Sequence, residues 1–152
     1  MRTRPFLLAA CLLASGPTPL ALAAPAAHAA TTAAPYDFNG DGYRDLAIGV
    51  PGEALGGRDG AGGVEILYGR ASGLSATGSQ WFARNTTGVP GDLRSGEYFG
   101  STVRLRDTNR DGKADLYVEG ESGSLVLRGS SAGITTSGAT AVAGDTVRGM
   151  LQ

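Results

Sequence analysis

Two nine-residue windows hold six of the chain's 14 acidic residues. Asp37-Phe38-Asn39-Gly40-Asp41-Gly42-Tyr43-Arg44-Asp45 is matched, 70 positions on, by Asp107-Thr108-Asn109-Arg110-Asp111-Gly112-Lys113-Ala114-Asp115. Three carboxylates this close repel one another, and the basic residues within reach are few: Arg44 in the first window, Lys113 and Arg110 in the second. A bound cation relieves the repulsion directly. In the pattern D-x-N-x-D-G-x-x-D, positions 1, 3 and 5 offer side-chain oxygens, position 7 a backbone carbonyl and position 9 a further carboxylate. Gly at position 6 allows the sharp turn. The expected ligands are Asp37, Asn39, Asp41, the Tyr43 carbonyl and Asp45 in the first loop. In the second they are Asp107, Asn109, Asp111, the Lys113 carbonyl and Asp115. Every donor is a hard oxygen, which suits Ca²⁺ rather than zinc or copper. The competing reading is a pair of solvated Asx turns, which Asp, Asn and Gly form without metal. Two occurrences with every ligand position kept favour calcium.

These loops are not EF-hands. Position 12 is Ile48 or Val118 instead of a bidentate Glu, and each loop leads into a Gly-containing strand. The elements that position the loops read as short strands throughout. Leu46–Val50 and Leu116–Val118 come directly after the acidic windows, and Val64–Tyr68 and Ser124–Leu127 come next, bounded by Gly. Gln80–Ala83 is a further strand. Residues 100–106 alternate, with Val103 and Leu105 on one face and Arg104 and Arg106 on the other. No window of helical length keeps a 3.6-residue apolar stripe free of Gly, so the fold class is all-β. The strand ending at Gly69 repeats in the one ending at Gly129, at an offset of 60. The second copy has therefore lost ten residues between loop and strand, where the first carries the Gly-rich segment 52–63.

The remaining residues exclude much other chemistry. Cys11 and His28 are the chain's one Cys and one His. Both fall in a leader with a basic start, an apolar run from Phe6 to Leu13 and a small-x-small end at Ala27-His28-Ala29, the pattern of a secretory signal peptide. Cleavage after Ala29 takes 29 of 152 residues and leaves 123, residues 30–152, with neither Cys nor His. Ser-His and Cys-His catalysis, thiol redox, disulfides and Cys/His metal sites are then excluded. A lipobox ending at Cys11 is the competing reading, but it would cut the apolar segment in half. Whole-chain charge is −1, and −3 without Arg2 and Arg4, with no basic block, which argues against nucleic acid. No apolar run approaches the ~20 residues that span a bilayer. The excess of Arg over the single Lys, with abundant Ala and Gly, points to a high-GC bacterial coding sequence, in which the sequon at Asn85 is expected to be unmodified.

The second unit carries Phe99-Gly100, then Val103, the acidic loop and Leu116. The first carries its loop, Leu46, and Gly49-Val50-Pro51 in place of Gly-Ala-Pro. Over residues 36–143 this arrangement resembles the FG-GAP repeats of integrin α-subunit β-propellers and of bacterial secreted proteins. The resemblance implies four-stranded propeller blades with calcium in the loop joining two strands of each, repeat 1 over 36–84 and repeat 2 over 97–143. It also implies that Phe99 packs between strands. The first unit lacks Phe-Gly and a leading strand, and the second has Glu119-Gly120-Glu121 where Gly-Ala-Pro belongs. Propellers need ~4–8 blades, so about two repeats imply an incomplete propeller: a fragment-like piece of a larger protein, or copies that self-associate.

The expectation is a secreted, non-catalytic calcium-binding module for extracellular binding or adhesion, with an extracellular protein or glycan as partner. The alternative is a secreted hydrolase, or an accessory domain of one. Glu53, Glu65, Glu97, Glu119 and Glu121 are the carboxylates a glycosidase would draw on, but no pair stands out and solvated surface positions are expected for them. Lys113 lies inside an acidic loop, which argues against a Ser-Lys dyad. Trp81, Phe82, Tyr98 and Phe99 are expected in the core rather than on a partner.

Overall fold

A computed structural model describes residues 36–142. The expected leader at 1–29, its expected cleavage after Ala29, and Cys11 lie outside the described residues. Within them are two antiparallel meanders and no helix. The first sheet has three strands in the order β1 (Leu46–Val50), β2 (Gly63–Tyr68) and β3 (Ser75–Phe82). The second has four, β4 (Thr102–Arg106), β5 (Asp115–Glu119), β6 (Ser124–Ser130) and β7 (Gly133–Val142), again in chain order.

Strands β1, β2, β4, β5 and β6 lie where β-branched and large apolar residues cluster between Gly-rich turns. β7 carries no strand pattern in its sequence, and β3 starts at Ser75, well before the expected Gln80. Both run through Ser, Thr, Ala and Gly; β3 faces solvent over most of its length, and β7 is buried at Gly133 and Ile134 and half-buried or exposed beyond them. Such residues carry little apolar pattern, so pairing with β2 or β6 makes the strand rather than propensity. The same irregularity interrupts both pairings, between Ile66 and Tyr68 and between Val126 and Arg128, 60 residues apart. The repeat thus extends to its β-bulges.

Register sorts the side chains into faces. Ala47, Val64, Ile66, Tyr68 and Phe82 of the first sheet meet Leu116, Val118, Leu125, Leu127 and Ile134 of the second in one core. Phe38 and Phe99 are fully enclosed with them, as the family resemblance implied for Phe99. Phe82 is buried too, whereas Trp81 and Tyr98 are 37% and 47% exposed, contrary to the core position expected for them.

Three devices join the sheets. Gly49 and Gly100 approach so closely that a Cβ on Gly49 would collide with the Gly100 carbonyl oxygen. Segment 59–62 holds the chain entering the second sheet: Gly96, Tyr98 and Phe99 donate their amides to the carbonyls of Asp59, Gly60 and Ala61, at 2.9, 2.7 and 3.2 Å. Finally, Tyr68 and Gln80 clasp β7. The Ile134 amide donates to the Tyr68 hydroxyl at 2.8 Å and to Gln80 Oε1 at 3.1 Å, and Gln80 Nε2 donates to the Ile134 carbonyl. Tyr68 itself donates to Gln80 Oε1.

Glu97, expected at the surface, is fully buried. It pairs with Arg84 at 2.9 Å and accepts from Ser122, while Arg84 also donates to the carbonyls of Pro90 and Gly123 and stacks on Phe99. This satisfied network pins the inter-sheet linker to the turn between β5 and β6, and a buried charge is tolerated because every partner is present.

Packing makes Leu116 and its repeat counterpart Leu46 unequal. Leu116→Ala should cost about 2–5 kcal/mol in urea unfolding. Leu46 is 38% exposed, and Leu46→Ala should cost well under that. A second prediction concerns Tyr68, whose hydroxyl is pushed from 10.0 up to about 12 by burial, against the opposing pull of the Ile134 amide. The fold therefore holds the neutral phenol, and that stabilisation is full below pH 10 and is lost as pH rises toward 12. Stability measured across that alkaline window should fall less steeply in Tyr68→Phe than in the parent chain.

Candidate functional site

The two acidic loops fold alike. In the first, Asp37 accepts the amides of Gly40 and Gly42 at 2.6 and 2.9 Å, and Asp41 accepts that of Tyr43 at 2.8 Å. Asn39 accepts from the Asp41 amide and donates to its carboxylate. In the second, Asp107 takes the amides of Arg110 and Gly112, Asp111 takes that of Lys113, and Asn109 repeats both bonds to Asp111. Gly42 and Gly112 have φ of 87° and 85°, a conformation that a side chain at position 6 would strain.

The ninth-position carboxylates do something different. Asp45 is buried, and its oxygens accept the amides of Phe38 at 2.7 Å and Gly69 at 2.8 Å. Asp115 accepts those of Thr108 and Gly129, both at 3.0 Å, and the Thr108 hydroxyl. Each therefore ties the start of its loop to the end of the next strand but one. The repeated glycines make this possible, since a Cβ on Gly69 would strike the Arg44 carbonyl and one on Gly129 the Ala114 carbonyl. That explains why Gly69 and Gly129 recur at a fixed place.

The loops differ in charge. Arg128 donates to Asp115 at 2.9 Å, which neutralises the second loop's buried carboxylate from outside the loop. Tyr68 occupies the equivalent place in the first unit, 60 residues earlier, and there it serves the sheet interface. Burial pushes the Asp45 carboxyl above its ordinary range, the amides of Gly69 and Phe38 pull it down, and Asp37 and Asp41 add to the rise. Arg128 carries no signal in the sequence, because nothing in its spacing marks it as belonging to the loop.

The two loops also touch. The Ala114 amide donates to the Asp37 carbonyl at 2.7 Å, and the Lys113 stem lies 3.4 Å from where a Cβ of Gly40 would stand. Position 2 has diverged: Phe38 enters the core, whereas Thr108 bonds Asp115. Beside the first loop is a polar cleft of about 420 Å³ whose walls include Asn39, Asp41, Arg70, Thr77 and Ser131.

As for metal, no three carboxylate, thiol or imidazole groups among the described residues gather into a cage. The donors in each loop are mixed: carboxylates, an Asn amide oxygen and backbone carbonyls. The carboxylate oxygens of positions 1 and 5 accept hydrogen bonds from within the loop and retain further acceptor capacity, so the donor chemistry fits a hard cation. The five Glu considered for hydrolysis do not converge on the cleft, which none of them lines. Glu97 is held by Arg84, and Glu119 accepts from Tyr117.

Residues 29–67 match the family model described as FG-GAP repeat. The chain is 35% identical over 112 residues to a rat phosphatidylinositol-glycan-specific phospholipase D, covering 72% of this chain and 13% of that protein. It is 39% identical over 100 residues to mouse integrin alpha-E, covering 63% of this chain and 8% of that protein. The chain thus spans a small part of the length of these relatives. No solved structure matches it.

Removing the ninth-position carboxylate should be more damaging than its loop position suggests. Asp45→Ala strands two amides and should lower stability by about 2 kcal/mol or more, whereas Tyr43→Ala, at an exposed position, should change it little; urea unfolding compares them.

Proposed function

Because the chain belongs to the FG-GAP repeat proteins, we propose that it is a non-catalytic, calcium-stabilised module of blade-like sheets, made with a leader cleaved after Ala29 and used for extracellular binding or adhesion. The observation that carries this reading is the shared hydrogen-bonded shape of the two acidic loops. Each loop keeps three carboxylates in the same places, and a cation offsets the repulsion that their hydrogen bonds to the loop amides only partly relieve. In the proposal, Asp37, Asn39, Asp41, the Tyr43 carbonyl and Asp45 hold one ion, and the Asp45 carboxylate also fixes the loop from behind. Asp107, Asn109, Asp111, the Lys113 carbonyl and Asp115 hold a second, and Asp115 likewise anchors its loop. The ion supplies positive charge that offsets carboxylate repulsion, and its role is structural. The first loop, which lacks a counterpart of Arg128, is the one that gains more.

The relatives' names do not make this chain a phospholipase. The catalytic power of a whole enzyme is not carried by a region covering 13% of it unless the catalytic residues lie there. The described residues contain neither His nor Cys. Among them, no helix is long and apolar enough to cross a membrane.

A ligand that binds the folded form alone stabilises it by mass action. Calcium at a hundredfold excess over its Kd should stabilise the chain by about 2.7 kcal/mol per site and raise its melting midpoint relative to chelator. Asp41→Ala combined with Asp111→Ala should erase the shift, and an unchanged midpoint in the parent chain would sink the calcium reading.

A further inference from the structure

The polar cleft beside the first acidic loop is built by both repeat units. The first unit supplies Asn39 and Asp41 from the loop, Arg70 from the turn after β2 and Thr77 from β3. The second supplies Ser131 from the turn between β6 and β7. Its volume of about 420 Å³ falls within the range of small-molecule sites. Asp41 and Arg70 line this one cleft with opposite charges, yet they do not pair with each other. Asp41 accepts the Tyr43 amide and the Asn39 side-chain amide, which leaves its carboxylate further acceptor capacity.

Arg70 is held in place without being used up. Its Nη2 donates to the Thr77 carbonyl at 2.9 Å, and it joins none of the ion pairs among the described residues. A guanidinium carries five N–H donors in a planar fork, so most of the fork is left for a ligand. The fold does not require it. At the offset of 60 its counterpart is Ser130, whose hydroxyl accepts the Ala132 amide and donates to the Gly133 carbonyl within its own turn. The two hairpins otherwise agree. Thr77 and Ser137 each donate an amide to the hydroxyl two residues earlier, on Ser75 and Thr135, and Gly78 and Gly138 have φ of 82° and 77°. Arg70 is therefore an addition of the first unit to a turn that forms without it.

We propose that this cleft binds an acidic sugar, a hexuronate unit of an extracellular polysaccharide, with its carboxylate on Arg70 and its ring hydroxyls on Asp41, Asn39, Thr77 and Ser131. A planar guanidinium meets a carboxylate through two parallel hydrogen bonds. A sugar hydroxyl both donates and accepts, so it serves a carboxylate, an amide or another hydroxyl equally. Phosphate fits less well, because its second charge would face Asp41. A free amino acid would use both charges and leave Asn39, Thr77 and Ser131 without a partner. The assignment gives a ligand class to the extracellular-binding reading, on which it rests, and it does not depend on calcium.

The test titrates the full chain in calcium-containing buffer with digalacturonate, the neutral disaccharide of the same linkage, glutamate and inorganic phosphate, by calorimetry. Digalacturonate should bind, and the neutral disaccharide should bind more weakly by about tenfold or more. Arg70→Ser copies the second unit's residue, so it should fold as the parent does and weaken digalacturonate by about tenfold or more. Arg70→Lys should recover only part of that loss, because an ammonium lacks the planar fork. Ser131→Glu, at an exposed position, sets a second carboxylate in the cleft and should also weaken binding, whereas Arg104→Ser, on β4 and outside the cleft, should leave it unchanged. Absence of digalacturonate binding overturns the proposal, and so does binding that Arg70→Ser and Ser131→Glu leave intact. Tighter, Arg70-dependent binding of glutamate or phosphate overturns it as well. Melting the same samples with calcium and with chelator separates the two readings. A calcium shift without sugar binding overturns the cleft assignment alone, and sugar binding without a shift overturns the calcium reading alone.

Discussion

The buried carboxylate at the ninth position of each acidic loop sets the geometry around it. Asp45 joins the Phe38 and Gly69 amides, and Asp115 joins those of Thr108 and Gly129. A carboxylate is costly to bury, and charge-assisted bonds to two fixed amides are what make it tolerable. Those bonds require the loop to span nine residues and the strand end to approach its backbone without a Cβ. The loop's length, the glycine that ends the following strand and the register of β1 on β2 are therefore one constraint seen from three places. A cation bound in the loop, as proposed, would act on a frame that this carboxylate already holds.

The two units answer the same constraint with different neighbours. At one bulged position the second unit places Arg128, which offsets the Asp115 charge. The first places Tyr68, which leaves Asp45 without that guanidinium and instead reaches across to Ile134. One side chain cannot do both. The unit whose residue crosses to the other sheet is the unit whose buried loop carboxylate lacks that guanidinium. That links inter-sheet cohesion to loop electrostatics through a single substitution between repeats.

Much of this is legible in the sequence. The paired acidic windows locate both loops, and the apolar runs behind them locate β1, β2, β5 and β6, because there one residue pattern maps to one local geometry. β7 and the first half of β3 are not legible, since Ser, Thr, Ala and Gly leave no alternating signal when pairing alone fixes them. Glu97 reads as a surface residue because a lone Glu carries no mark of its partner: Arg84, 13 residues away, and Ser122 become neighbours only when the linker folds over the β5–β6 turn. Arg128 escapes sequence reasoning for the same reason. Trp81 misleads in the other direction, since apolar character shows that a residue seeks cover and does not show whether its own chain provides it.

The ten residues by which the first repeat exceeds the second have a physical role. They fall between β1 and β2, and there segment 59–62 accepts the amides of Gly96, Tyr98 and Phe99 and forms the parallel bridge from Gly62 to Phe99. The extra length is thus the seat for the chain entering the following sheet. The second repeat replaces it with a tight turn in which Gly123 donates back to the Gly120 carbonyl at 3.0 Å and Glu121 donates to that of Glu97. A turn so short offers no comparable row of carbonyls. The carbonyl row of the longer loop is therefore what ties the first sheet to the chain that follows it, a task the second repeat's short turn does not perform among the described residues.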